Sequence, residues 1–232
     1  MKEFRKFNYI RNDSFTENHN LFLIMKKTLQ LFLFITLSAI TAKAQRSGDF
    51  EMGFHGGLNL ANVTTSDGQS NAKPRISFNI AATGEYYLSE TWGLKAKLIY
   101  DNKGWSDGFI EDNNFNTYTT DFHLNYITLP VMASWHFGSR KNWYLHAGPY
   151  AGLLINAKDS ELGMDLKDAF SNTDFGIALG IGYTFEVNRN TTFFIEYDGQ
   201  SGLTDVFEEN ESGTAITNAR SALNFGVLFY LN

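Results

Sequence analysis

Six charged residues stand singly inside stretches of alternating character: Glu51, Glu85, Lys95, Lys97, Glu196 and Asp198. Successive side chains on a strand point to opposite faces, so each charge turns away from an apolar stripe. Leu94, Ala96, Leu98 and Tyr100 oppose Lys95, Lys97 and Asp101, and Phe193, Ile195 and Tyr197 oppose Phe194, Glu196 and Asp198. Mixed charge enclosed in this way can do two things. It can pair and plug a narrow interior, or it can line a gated pore. The balance of signs favours structural pairing among these six.

Other chemistry is weaker. His19, His55, His123, His136 and His146 lie far apart in the chain, with no second histidine or cysteine at metal-ligand spacing, so a zinc centre is not expected. No Gly-x-Ser-x-Gly elbow occurs. Ser201 and Asp198 are near in sequence but belong to opposite strand faces, and no histidine completes a triad. The glycines of 148–152 and 176–182 alternate within strands instead of opening a helix, which excludes a nucleotide loop. Asp159, Glu161, Asp165 and Asp168, then Asp205, Glu208, Glu209 and Glu211, make two acidic loops. Neither has the spacing of a calcium loop, and solvated charge is the expected reading.

The elements that position these residues are strands. Phe175-Gly176-Ile177-Ala178-Leu179-Gly180-Ile181-Gly182-Tyr183-Thr184-Phe185 puts every large apolar side chain on one face and every small or polar one on the other. The same period predicts strands at 50–62, 75–89, 91–105, 119–138, 141–157, 173–188, 191–205 and 217–231. Tight turns at 89–90, 138–141 and 188–190 alternate with long polar connections at 63–74, 106–118, 158–172 and 206–216. The expectation is an all-β fold: an eight-stranded antiparallel up-and-down transmembrane β-barrel, apolar outside, with both termini on the periplasmic side. Tyr86, Trp92, Trp135, Phe137, Trp143, Tyr144, Tyr183 and Phe185 crowd the strand ends, as expected of a girdle at the lipid headgroups. A soluble ligand-binding barrel would need neither this girdle nor a small, charged interior.

Residues 25–44 have the build of a secretory signal: Met25-Lys26-Lys27, an apolar stretch from Leu29 to Ile40, and Ala42-Lys43-Ala44. The apolar stretch is too short to span a bilayer. Cleavage between Ala44 and Gln45 is expected, with 45–232 as the barrel domain and 1–24 as a mis-assigned N-terminal extension ahead of the true start at Met25. The net charge of −6 becomes more negative without that leader, which carries seven basic and three acidic residues. An acidic chain is a poor partner for nucleic acid. With no cysteine, stability must come from the hydrogen-bonded ring.

Several segments carry a family likeness: Gly57-Leu58-Asn59-Leu60-Ala61-Asn62; Ile99-Tyr100 with Lys103-Gly104; Leu124-Asn125-Tyr126-Ile127-Thr128-Leu129-Pro130-Val131; Ala147-Gly148-Pro149-Tyr150-Ala151-Gly152; Thr173-Asp174-Phe175-Gly176 through Gly182-Tyr183; and Gly202-Leu203-Thr204-Asp205. Over roughly 53–232 the chain resembles the Bacteroidetes PorT-like, porin-family outer-membrane β-barrels. It departs from them in having Glu196 where a basic residue is usual before the seventh-strand tyrosine, and in ending Tyr230-Leu231-Asn232 instead of on an aromatic residue. The resemblance implies an accessory role in protein secretion across the outer membrane. The residues alone imply an integral outer-membrane protein of structural or interaction type, exposing its loops. That protein would be monomeric, surrounded by outer-membrane lipid, and without catalysis, metal or cofactor. Its partners would be envelope or secretion-machinery proteins. A narrow small-solute pore is the remaining reading.

Overall fold

The computed structural model describes residues 49–65, 72–111, 115–188, 190–210 and 213–231. The extension 1–24, the signal 25–44, the Ala44–Gln45 junction and Glu211 lie outside them. Eight strands follow one another: β1 (Phe50–Thr65), β2 (Lys73–Tyr87), β3 (Trp92–Glu111), β4 (Thr117–Phe137), β5 (Trp143–Asp159), β6 (Thr173–Asn188), β7 (Thr191–Gly202) and β8 (Ile216–Leu231). Each pairs antiparallel with the next, and β8 returns to β1 in continuous register from Phe50↔Leu231 to Thr65↔Ile216, closing the barrel. Closure leaves no strand edge unpaired, which lipid requires.

The outer wall is apolar. Leu179 is 60% exposed, Ile76 74% and Phe54 61%, an area no soluble protein would leave bare. Inside, Gly176, Ala178, Gly180 and Gly182 of β6 are buried. A Cβ on Gly182 would lie 2.1 Å from Tyr144 Cζ, so the small residues make room for the large ones facing them across the lumen. At the turn end, outward rings run side by side from strand to strand: Trp92–Trp135, Trp135–Phe137, Phe137–Trp143, Trp143–Tyr183 and Tyr183–Phe185, with centroids 4.8–6.4 Å apart. Tyr144 does not belong to this girdle. It points inward and is 1% exposed, because its neighbours Trp143 and Leu145 hold the outward positions of β5.

The strands run to 21 residues, well beyond the roughly 9–11 that cross a bilayer, and their far ends stand above the lipid band. The connection predicted over 106–118 is largely a hairpin, paired from Gly108↔Thr120 to Glu111↔Thr117. A bulge between Trp105 and Gly108 absorbs Ser106 and Asp107, the latter at φ 56°. Beyond it, Phe109 and Ile110 are good strand formers. The loops after β5 and β7 also fold back. Phe170 and Phe207 form an isolated bridge, Ser171 N–H donates to the Val206 carbonyl at 2.9 Å, and Glu208 N–H donates to that of Ala169 at 3.2 Å. With Trp105, Phe122 and Leu124 they build an apolar cluster over the loop end of the barrel.

Candidate functional site

The lumen holds the polar chemistry of the molecule, and its geometry follows from register. β3 presents Lys95, Lys97, Asp101 and Lys103 inward at alternate positions. Lys95 is directly opposite Glu85 on β2, and its Nζ lies 3.0 Å from Glu85 Oε2. The other Glu85 oxygen is 2.6 Å from His136 Nε2, and Lys95 Nζ sits 3.9 Å above the Tyr144 ring. Lys97 reaches across the barrel to β7, where it meets Glu196 and lies 2.8 Å from Asp198 Oδ2. The Tyr144 hydroxyl donates to Glu196 Oε2 at 2.9 Å. Arg220 of β8 joins Asp198 Oδ1 at 2.8 Å and Asp101 Oδ2 at 3.2 Å. Lys103 crosses to Asp174 of β6 at 2.8 Å, where the Tyr150 hydroxyl and Asn218 Nδ2 also donate, at 3.1 and 3.2 Å. Amides link the layers: Asn59 Nδ2 donates to Asp101 Oδ1 at 3.0 Å, and Asn79 Nδ2 donates to Asn59 Oδ1 at 2.6 Å and to Asn224 Oδ1 at 3.0 Å.

Signs therefore alternate in two linked runs, Glu85 with Lys95 and then Glu196, Lys97, Asp198, Arg220, Asp101, Lys103 and Asp174, and Tyr144 joins them by stacking under Lys95 and donating to Glu196. Lys97, Glu196 and Arg220 are all at most 3% exposed. Charges so enclosed persist only because each has a partner of opposite sign, and removing one partner from such a pair costs about 3–5 kcal/mol. Of the six residues marked from sequence, Glu85, Lys95, Lys97, Glu196 and Asp198 come together in this chain of contacts. Glu51 does not. It faces Glu85 across the β1–β2 register, Lys95 is already taken, and its Oε2 accepts the Tyr87 hydroxyl at 2.8 Å instead.

Sequence reading missed Arg220, Lys103 and Asp174. The signal was present in phase, since Arg220 alternates with Asn218, Ala222 and Asn224, and Lys103 extends the inward series of β3. The histidines are also less isolated than their sequence spacing suggests. His136 binds Glu85, and His146 Nδ1 lies 3.6 Å from Glu196 Oε2. His146, Glu196 and Asp198 bring three ligand atoms within 4.8 Å of one another. Lys97 Nζ already supplies the positive charge there, holding both carboxylates. Ser201 is exposed on the outer wall and Asp198 buried in the lumen.

The acidic loop residues shape turns. Asp159 accepts the backbone N–H of Leu162 at 2.5 Å and of Met164 at 2.7 Å. Asp205 accepts that of Phe207 at 3.1 Å and the Asn210 amide at 2.5 Å. Burial pushes the Asp159 carboxyl up, but the loop N–H groups outweigh it and hold the carboxyl below its usual range.

Among solved structures, the chain is similar to Neisserial surface protein A (16% identity, TM-score 0.48, covering 78% of this chain and 98% of that one). It is also similar to the outer membrane protein OprG of Pseudomonas aeruginosa (11%, 0.49, 82% and 99%). A third is Ail, the attachment invasion locus protein of Yersinia pestis, in complex with the heparin analogue sucrose octasulfate (16%, 0.41, 78% and 99%). No curated protein sequence matches the chain. Residues 43–208 match the family model described as outer membrane protein beta-barrel domain. The closed ring of strands, its apolar wall and this match together make the chain a member of that family of integral outer-membrane proteins.

Proposed function

We propose that this protein is an outer-membrane component of structural or interaction type, with a lumen closed by its own side chains and a loop end that meets other envelope molecules. The single observation that carries the reading is the two linked runs of buried ion pairs, Glu85 with Lys95 and Glu196 through to Asp174. An eight-stranded barrel has room for little more than its inward side chains, and here these hold one another across the bore. The apolar cluster over the loop end supports the same reading. It requires no catalysis.

Planar-bilayer recording tests it. The purified protein is expected to give no stable large conductance at neutral pH. Lys95→Ala with Lys97→Ala is expected to raise a small leak. Steady wild-type channels in the nanosiemens range would overturn the closed lumen in favour of a solute pore.

The PorT-like motifs, Leu124 to Val131 and Gly148 to Gly152 among them, support a second reading, an accessory role in secretion. A deletion strain assayed for envelope integrity and secretion together separates the two. Loss of secretion with an intact envelope favours the accessory role.

A further inference from the structure

The ion-pair network leaves one polar space open. At the turn end lies a cavity of about 230 Å³, with Glu51, Tyr87, Thr192 and Tyr230 among its walls and Asp49, Glu186 and Arg140 also lining it. Short turns face the periplasm in this architecture, so its solutes are periplasmic.

Two inner groups of this cavity lack the partner their burial calls for. Glu51 is 2% exposed and takes the hydroxyls of Tyr87 and Tyr230, but no basic group among the described residues lies within ion-pair distance of it. A carboxylate has about four acceptor positions, so two hydroxyls leave room for a further donor. Thr192 is also 2% exposed, and its Oγ1 has no hydrogen-bond partner among the described residues. A buried hydroxyl without a partner is costly, and its presence beside a cavity marks a place for one. Asp49 and Glu186 are exposed and make no ion pair among the described residues. Of the two bases lining the cavity, Lys141 is held by Glu90 at 2.6 Å, leaving Arg140 alone. Among the described residues lining the cavity, three carboxylates without an ion pair stand against one guanidinium, a balance that favours a cation.

The cation is not a metal. Among the described residues, three ligating atoms meet within 4.8 Å only at His146, Glu196 and Asp198, so Asp49, Glu51 and Glu186 do not converge on a point as a hard cation demands. The volume is also below the roughly 300–1,000 Å³ of drug-sized sites. Spread carboxylates in a small space fit a short chain with separated positive ends. We propose that this vestibule binds a small linear diamine, with one ammonium between Glu51 and Thr192 Oγ1 and the other at Asp49 and Glu186.

Calorimetric titration of the full chain in detergent with 1,5-diaminopentane tests this, with heat-modifiable gel migration confirming that each variant is folded. Saturable one-to-one binding is expected. Glu51→Gln and Glu186→Gln should each weaken it about tenfold or more, the loss expected for a hydrogen bond to a charged group. Thr192→Val should weaken it severalfold. Glu186 is exposed, so its variant tests the idea even if Glu51→Gln misfolds. Absence of saturable binding would overturn the proposal. So would affinity unchanged in Glu186→Gln, or displacement of the diamine by an equal concentration of calcium, which would make this a metal site.

Discussion

Strand β4 reads in two opposite ways along its length, and the two halves of the barrel differ accordingly. From Thr128 to His136 the inward residues include Thr128, Ser134 and His136, and the outward ones are Leu129, Val131, Ala133 and Trp135. From Thr120 to Tyr126 the same inward parity carries Phe122, Leu124 and Tyr126, while Asp121, His123 and Asn125 face out. β4 keeps its own alternation through this point, the register shift between Asn125 and Tyr126 being taken up by the extra residue Ile155 on β5; polarity inverts while direction does not. In the lower half the outer wall meets lipid, so apolar groups go out and charges must pair inside. In the upper half the outer wall meets water, and apolar rings enter the interior beside Lys103, which lies opposite Leu124, with Trp105, Phe122 and Phe170 packed at centroid distances of 4.7–6.0 Å. The lesson is that the solvent outside, more than the bore inside, decides what fills this barrel.

If the lower half depends on pairing, breaking one strut should have the largest effect. Lys97→Met leaves Glu196 and Asp198 without their shared ammonium and is expected to cost about 3–5 kcal/mol. Adding Glu196→Gln and Asp198→Asn should recover much of that loss, since the uncompensated charges go too. Urea titration of the folded band on unboiled gels measures both. Equal midpoints for the single and triple variants would mean that the lumen is not held by charge.

The lipid wall gives the next effect. Leu179→Arg places a charge mid-strand on the outer face, at about 2–4 kcal/mol. Gly213→Arg falls in the loop after β7, with nothing within 4 Å of an added Cβ; its φ of +70° makes any side chain there strained, so a smaller, local cost of about 1–2 kcal/mol is expected. Equal yields of folded barrel from the two variants would break the assignment of faces.

The upper half should respond locally. Phe170→Ala removes the ring that stacks on Phe207 at 5.1 Å and contacts Trp105 and Phe122. Because this cluster lies above the lipid-embedded ring, the unfolding midpoint should move by less than about 1 kcal/mol, while proteolysis within 160–172 accelerates. A large drop in the midpoint with unchanged proteolysis would show the two halves to be one cooperative unit.

This division explains what was legible in the sequence. Period-2 alternation located all eight strands, and for the lower half it also sorted the faces, since lipid outside makes apolar mean outward. The rule fails where water replaces lipid. Phe122 and Leu124 lie on the same face as Thr128, yet by hydrophobicity alone they belong with Leu129. The stretch after Trp105 and the loops containing Phe170 and Phe207 look polar on average, and a few apolar residues in them carry the cap. The pairing Glu85–Lys95 was readable, because both lie on neighbouring strands in register. Lys97 with Glu196, or Lys103 with Asp174, was not, because the strands that carry them meet only across the closed ring. Glu51 shows the complementary failure. A charge in phase with the lumen was assigned a partner by type, but register put an acid opposite it.

The smallest effect concerns the edge of the upper half. In the folded chain the Asp159 carboxylate organises the turn at 161–164 through the N–H groups of Leu162 and Met164. Burial raises its pKa and those donors lower it, with a net shift below the ordinary 3.8. A depressed pKa stabilises the folded loop fully above the unfolded value and loses that contribution as pH falls through the folded one. Protection of the Leu162 and Met164 amides against hydrogen exchange, normalised for intrinsic rates, should therefore stay level from pH 7 to about 4 and decline below that. Asp159→Ala should lack the protection at every pH. Asp159→Asn, which keeps one acceptor oxygen but cannot ionise, should show weakened protection with no acid transition. Decline already between pH 5 and 6 would point to a different titrating group, and protection persisting through pH 2 in the wild type would show that the neutral acid holds the turn as well as the carboxylate does.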